Sequence, residues 1–218
     1  MIVFDCDGVL VDSEPIAAAV AAEEFTRAGF PCTPDAVLRQ FTGMSDADML
    51  AAVEAAASRR LPPNFAAALA AATEERLRAE LRPMPHAAEV LAGLDRARCV
   101  ASSSSLGRVR LSLEVTGLLG FFHSHVFSAS EVKRGKPAPD LFLHAAEKMR
   151  VVPSRCVVVE DSGRGVAAAA AAGMASIGFL GGGRGDSRVA SALIAAGARA
   201  VITDLRDLPG ALARLEGA

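Results

Sequence analysis

The sequence predicts an α/β fold: a parallel β-sheet covered by helices on both faces, with an all-helical block inserted after the first strand. Three observations predict it. Short apolar runs recur along the chain, each ended by polar or turn residues. Helical stretches lie between them, and strands that are apolar throughout belong to a sheet buried on both sides. Residues 14 to about 83 break that rhythm, with several helix signals and no good strand. A chain of 218 residues is long enough for one substantial core that buries about 70% of its extended surface.

The first strand is Met1-Ile2-Val3-Phe4, which empties into Asp5-Cys6-Asp7-Gly8. A short apolar run ended by acid and glycine reads as a buried strand reaching a turn, and Gly8 lets the chain turn without a Cβ in the way. Two carboxylates two residues apart at a strand end point into one site and repel each other unless a cation holds them. That pattern suits magnesium-assisted phosphoryl transfer, one Asp acting as nucleophile and the other as proton donor and acceptor. A calcium loop is excluded, because the chain continues as apolar Val9-Leu10-Val11 where more oxygen ligands would be needed. On this motif alone, a plain surface turn stays open.

The helical block follows. Ser13 and Pro15 supply a cap and a first-turn proline for one helix, and Thr33-Pro34 starts another. Ser45 and Asp48 form a capping-box-like pair ahead of Met49, Leu50 and Val53. An alanine-rich charged helix spans 63 to about 81 and ends before Pro83 and Pro85. An insert placed directly after the first strand and closing at prolines reads as a lid on the catalytic end of the sheet. The expected organisation is therefore a core of residues 1–13 and 84–218 and a helical cap domain of residues 14–83.

Further strands are expected at 98–102, 125–128, 155–160 and 175–179, with a weaker one at 200–202. Helices are expected at 87–96, at 106–116 stopped by Gly117, at 139–149, and at 165–172 stopped by Gly173. The alanine tract 167–172 reads as a helix whose small face packs closely on the sheet. The glycine-rich stretch 181–185 lacks the lysine and hydroxyl of a phosphate loop and reads as a flexible surface loop. There are no internal repeats.

Composition narrows the classes. With 23 basic against 25 acidic residues and no long run of either sign, neither nucleic acid nor an anionic membrane surface is an expected partner. No apolar run approaches the ~20 residues of a membrane span, and the first strand is too short for a signal peptide. Cys6, Cys32, Cys99 and Cys156 form no CxxC pair. They read as free, buried thiols of a reducing compartment, which points to the cytoplasm; a monomer or weak homodimer is expected. His86, His123, His125 and His144 show no zinc spacing and are expected in surface or capping roles.

Each core strand then ends in a group suited to phosphate. The first delivers Asp5 and Asp7. The second delivers Ser102, followed by Ser103, Ser104 and Ser105 entering a helix whose N–H groups suit an anion. After the third comes Lys136, held extended by Pro137, and the fourth delivers Glu160 and Asp161. Singly these have plainer readings: Ser103, Ser104 and Ser105 as caps, Lys136 as a solvated lysine, Glu160-Asp161 as a turn. Their recurrence at successive strand ends, where open α/β sheets bind ligands, argues for one site.

Asp5-Cys6-Asp7-Gly8-Val9-Leu10-Val11-Asp12-Ser13, Ser102, Lys136-Pro137-Ala138-Pro139-Asp140 and Val159-Glu160-Asp161-Ser162 together resemble the four motifs of the haloacid dehalogenase superfamily. The match spans nearly the whole chain and is most similar to the branch of phosphatases, phosphoglycolate phosphatases and β-phosphoglucomutases. The resemblance implies a Rossmann-like core with a mobile helical cap. It implies that Asp5 is a nucleophile forming an aspartyl-phosphate, and that Asp7 protonates the leaving oxygen and then activates water. It implies Mg²⁺ held by the Asp5 carboxylate, the Asp7 backbone carbonyl and Asp161, with Glu160 supporting. Ser102 would bind the transferring phosphoryl group and Lys136 would neutralise its charge.

Departures refine this expectation. Dehalogenases of the superfamily lack the second Asp, and Asp7 is present. The β-phosphoglucomutases carry a histidine where Ala17 stands, and a cap arginine where Asp46 follows Gly43-Met44-Ser45. Phosphonate hydrolysis would need a cap lysine, and residues 14–83 contain none. Arg39, Gly43, Met44 and Ser45 are the expected cap contacts. Arg39, Arg76 and Arg78 are either partners for an acidic or hydroxylated substrate tail or plain solvated helix arginines. The expected activity is that of an Mg²⁺-dependent phosphatase of a small phosphorylated metabolite, a phosphosugar or phosphosugar acid first and phosphoglycolate-like acids next. A phosphosugar mutase and a catalytically idle binding protein are the alternatives.

Overall fold

Strands apolar on both faces need cover on both, and the sheet has it. The structure, a computed structural model, describes residues 1–181 and 186–216. Strands β1 (Ile2–Phe4), β2 (Arg98–Ser102), β3 (Val126–Ser128), β4 (Val157–Glu160), β5 (Ala175–Phe179) and β6 (Ala200–Ile202) form one sheet in the order β3-β2-β1-β4-β5-β6. Every pairing is parallel, with Phe4 level with Val100 on one side and with Val159 on the other. The period-2 alternation of side chains divides each strand between two cores. Ile2, Phe4, Val100 and Val159 join one, while Val3, Cys99, Ala101 and Val158 join the other.

After β1 come four helices, α1 (Glu14–Arg27), α2 (Pro34–Phe41), α3 (Asp46–Ala57) and α4 (Phe65–Glu80). The remaining helices are α5 (Ala87–Gly93), α6 (Leu106–Val115), α7 (Asp140–Lys148), α8 (Gly163–Ala171), α9 (Ser187–Ala196) and α10 (Leu208–Glu216). The first core takes Leu91 of α5, Leu113 of α6 and Leu212 of α10; the second takes Phe142 of α7 and Ala168 and Ala169 of α8. The small face of the alanine tract thus packs on the sheet. Helix α5 stops at Gly93, short of the expected 96, because the Arg98 guanidinium donates to the carbonyls of Leu91 and Leu94 and closes its open end. Helix α8 begins at Gly163, two residues early, where the Ser162 hydroxyl accepts from the Gly165 N–H. The glycine-rich loop expected at 181–185 lies, from residue 182 onward, outside the described residues.

The run Val9-Leu10-Val11, which argued against a calcium loop, is fully buried. The Val9, Leu10 and Val11 N–H groups all donate to the Cys6 carbonyl, so the chain folds straight back into the first core, with Gly8 at φ 80°. From there it leaves for the insert and returns beside itself: Asp12 N–H donates to Arg82 C=O at 3.1 Å, and Met84 N–H to Leu10 C=O at 2.8 Å. The four insert helices share their own apolar centre, in which Phe25 of α1 stacks on Phe65 of α4 at 5.2 Å between ring centroids. Leu77 and Leu81 join the first core instead, so the end of α4 ties the insert to the sheet side.

All four cysteines are free, with Cys6, Cys99 and Cys156 buried. His144 is not a plain surface residue: its ring meets Phe127 edge-on at 5.7 Å. Among the described residues no helix is long and apolar enough to cross a membrane. Phe25→Ala should remove the stacked pair and lower unfolding free energy by about 3–5 kcal/mol, read from urea denaturation followed by circular dichroism; a loss below about 1 kcal/mol would show that the insert core carries little of the stability.

Candidate active site

The carboxyl ends of β1, β2 and β4 converge where the strand order reverses, the place at which an open parallel sheet opens a crevice. Asp5 follows β1, its N–H held by Val159 C=O at 3.0 Å. Ser102 ends β2, and Glu160 and Asp161 stand at the end of β4. Lys136 reaches in from the segment after β3, and the Lys136–Pro137 peptide is cis.

Lys136 is 4% exposed, and its ammonium uses all three protons. It donates to Asp5 Oδ1 at 2.8 Å, Glu160 Oε1 at 2.6 Å and the Ala101 carbonyl at 3.0 Å. Burial disfavours its charge, but Asp5 and Glu160 outweigh burial and raise its pKa above the usual lysine range. Glu160 is fully buried, and its second oxygen accepts from Ser162 N–H at 3.0 Å and Ser162 Oγ at 2.8 Å. A Cβ at residue 165 would lie 1.8 Å from Glu160 Oε1, so only glycine lets the first turn of α8 pass there.

Asp7 faces another way. Its Oδ1 accepts from Ser13 Oγ at 2.5 Å, and its Oδ2 from Ser104 Oγ at 2.8 Å and Ser102 Oγ at 3.3 Å. An Arg108 guanidinium nitrogen lies 3.9 Å from it. Burial alone would raise the Asp7 carboxyl; Arg108 and the three hydroxyls outweigh it and hold the pKa below the ordinary value. Two expectations change here. Ser13 occupies the cap position of α1 but makes no side-chain cap: its backbone is already helical (φ −87°, ψ −22°) and its hydroxyl is turned to Asp7. Ser104, expected as a cap, also serves Asp7, and Ser105 alone caps α6 by accepting from Arg108 N–H at 3.3 Å.

Carboxylate oxygens of Asp5, Glu160 and Asp161 all lie within 4.8 Å of one another. An all-oxygen donor set of this kind fits a hard divalent cation. The charge balance fits as well. Burial pushes the Asp5 carboxyl up to about 8, Glu160 and Asp7 add to the rise, and Lys136 only partly opposes it. A cation held among these three carboxylates would oppose that rise and favour the ionised form of Asp5.

Above this ring lies a cavity of about 100 Å³, roofed by the insert. Gly43 and Met44 of the loop between α2 and α3 line it, as do Ala17 and Asp46. Gly43, at φ +76°, approaches so closely that a Cβ there would lie 2.8 Å from Ser162 Cβ. The other expected cap contacts lie elsewhere. Ser45 caps α3 by accepting from Asp48 N–H at 3.1 Å. Arg39 is exposed and lines an adjoining groove that shares Glu14, Thr42 and Asp161 with the cavity. Arg76 pairs with Glu23 at 3.1 Å and Arg78 is exposed, so neither reaches the cavity.

Two arginines escaped the sequence reading. Arg108 reaches Asp46 of the insert at 3.5 Å as well as Asp7, and Arg164 bridges Lys136 C=O at 2.6 Å to Asp48 at 3.5 Å. Both stand in the first turn of a helix, where the positive end of the helix dipole opposes a cation. That misplacement was the available signal, since a cation kept there needs an acidic partner.

The chain's residues 1–173 match the family model of haloacid dehalogenase-like hydrolases. It is 31% identical over 172 residues to a 6-phosphogluconate phosphatase of Escherichia coli, an alignment covering 78% of each chain. To a fructose-1-phosphate phosphatase of the same organism it is 30% identical, covering 81% of this chain and 94% of that one. A conserved haloacid dehalogenase-like protein of unknown function from Agrobacterium tumefaciens superimposes with a TM-score of 0.84 at 39% identity, over 99% of this chain and 98% of that chain.

Gly165→Ala should force Glu160 off its contacts and lower unfolding free energy by about 1–3 kcal/mol, measured by denaturant titration. An unchanged midpoint would mean that the first turn of α8 yields freely.

Proposed function

The chain belongs to the haloacid dehalogenase-like hydrolases as a phosphoric monoester hydrolase, and from that premise we propose that it is an Mg²⁺-dependent phosphatase of a small phosphorylated metabolite, a phosphosugar or phosphosugar acid. The observation that carries this reading is the convergence of Asp5, Asp7, Ser102, Lys136, Glu160 and Asp161 on one cavity. Asp5, Asp161 and the Asp7 main-chain carbonyl would hold Mg²⁺ with support from Glu160, and the bound ion would offset the negative charge of the phosphoryl group against the carboxylates.

In the proposed mechanism an Asp5 carboxylate oxygen attacks phosphorus, the bond to the ester oxygen breaks, and Asp7 gives that oxygen its proton. Asp7 then takes a proton from water, whose oxygen attacks the aspartyl-phosphate and releases inorganic phosphate with Asp5 restored. Ser102 would bind the transferring phosphoryl group and the Lys136 charge would neutralise it against the carboxylates, so positioning and electrostatic stabilisation carry most of the rate. Three hydroxyls and Arg108 keep Asp7 ionised in the absence of substrate; an anionic phosphoryl group beside it favours its protonated form, as general acid catalysis requires.

Residues 14–83 would serve as a cap domain on a core of 1–13 and 84–218, with Gly43 and Met44 closing over substrate. The backbone pairing of 10–12 with 82–84 and the separate apolar centre of the insert support that division. Ala17 and Asp46 both line the cavity, which supports hydrolysis over a mutase that must grip a second phosphate. The four free thiols support a reducing compartment, the cytoplasm.

Asp5→Asn should lower phosphate release from a sugar-phosphate panel by about 10³-fold or more while leaving the fold intact by circular dichroism. Chelation should stop the wild-type enzyme, and Mg²⁺ should restore it and raise its Tm, whereas Asp161→Asn should show little Tm response to Mg²⁺. Full turnover in chelator, or in Asp5→Asn, would sink the mechanism.

A further inference from the structure

The cavity divides by chemistry. Its floor is the strand-end ring that handles phosphate; its roof, where the alcohol part of an ester would lie, comes from the insert. That roof presents Ala17, Ala18, Ala21, Met44, Met49 and Leu69, with the carboxylates of Glu14 and Asp46 at its polar margin. Among the described residues lining the cavity, Lys136 and Arg108 are the two cations. Lys136 is committed to Asp5 and Glu160. Arg108 lies between Asp7 and Asp46, so two carboxylates already offset its charge. The Asp46 side chain, 54% exposed and 3.5 Å from Arg108, lines the cavity on the insert side.

We propose that this site selects phosphate monoesters whose leaving alcohol carries no negative charge, neutral or amine-bearing, and that Asp46 is the residue that enforces the choice. The inference rests on the phosphatase reading and narrows it, keeping the phosphosugars and setting the phosphosugar acids aside. A carboxylate or second phosphate on the leaving group would face Glu14 and Asp46, and among the described residues lining the cavity both cations are already paired with carboxylates. A hydroxylated or amine-bearing group meets no such repulsion, and the methyl and thioether surfaces of the roof accept its carbon skeleton. A pair of like charges about 6 Å apart in a partly buried site is enough to separate substrates by about tenfold or more. Specificity here comes from rejecting the wrong charge as much as from gripping the right group.

The test measures kcat/KM with Mg²⁺ on size-matched pairs: glycerol 3-phosphate against 3-phosphoglycerate, and glucose 6-phosphate against 6-phosphogluconate, with ethanolamine phosphate as the cationic probe and p-nitrophenyl phosphate as a general ester. The neutral member of each pair should exceed its acid by about tenfold or more. Asp46→Asn should shrink that ratio several-fold by raising turnover of the acids. Asp48→Asn removes the same charge from the same helix turn but outside the cavity lining, and should leave the ratio where it was. Acids turned over as well as their neutral partners, or a ratio indifferent to Asp46→Asn, would overturn the inference while leaving the phosphatase reading in place. A folded protein that releases phosphate from no ester, p-nitrophenyl phosphate included, would overturn both.

Discussion

The buried ammonium of Lys136 is the interaction on which the rest of this structure depends. Its three protons join the carboxylate after β1, the last apolar carbonyl of β2 and the carboxylate that ends β4. Three strand ends are thereby fixed to one point by a group that the chain delivers from after a fourth strand. A buried ion pair is not in itself a large source of stability, since desolvation offsets much of the attraction. What it supplies is placement. Removing the lysine would leave the buried carboxylates of Asp5 and Glu160 facing each other without a cation between them.

The same constraint accounts for the hydrogen-bonding pattern around it. Glu160 cannot be solvated, so its far oxygen is satisfied by Ser162 as that residue caps α8, and residue 165 has no side chain because the carboxylate occupies the space. Asp7, two residues from Asp5, is kept apart from this cluster by hydroxyls from three positions and by Arg108. Two carboxylates close in sequence thus occupy opposite electrostatic surroundings: Asp5 is pushed up and Asp7 held down. The cation and the substrate phosphoryl group proposed for this site would reverse that order, ionising Asp5 for attack and protonating Asp7 for proton transfer.

Much of this was legible in the residues themselves. Strands that are apolar on both faces announce a parallel sheet, and a polar residue ending such a strand has nowhere to go but the crevice at its carboxyl edge. Asp5, Ser102 and Glu160 were readable for that reason. Lys136 was readable only through its neighbours, since a lone lysine before proline carries no such signal. The hydroxyl of Ser104 and the guanidinium of Arg108 were not, because their targets depend on how the turn after β2 aims the first turn of α6. Ser13 shows the limit from the other side: its position is a helix cap, but its backbone is helical there and its hydroxyl is turned to Asp7. Of the insert arginines, Arg76 meets Glu23 of α1, a partner that no local pattern in the sequence announces.

The insert departs and returns through backbone neighbours, Asp12 bonded to Arg82 and Leu10 to Met84. The sheet therefore experiences some seventy intervening residues as though they were a tight hairpin. Whatever is spliced between those two points, longer or shorter or with another lining, leaves the register of β1 and the pose of Asp5 unaltered. Evolution could thus redraft the roof of this cavity many times over while the chemistry beneath it was inherited unchanged.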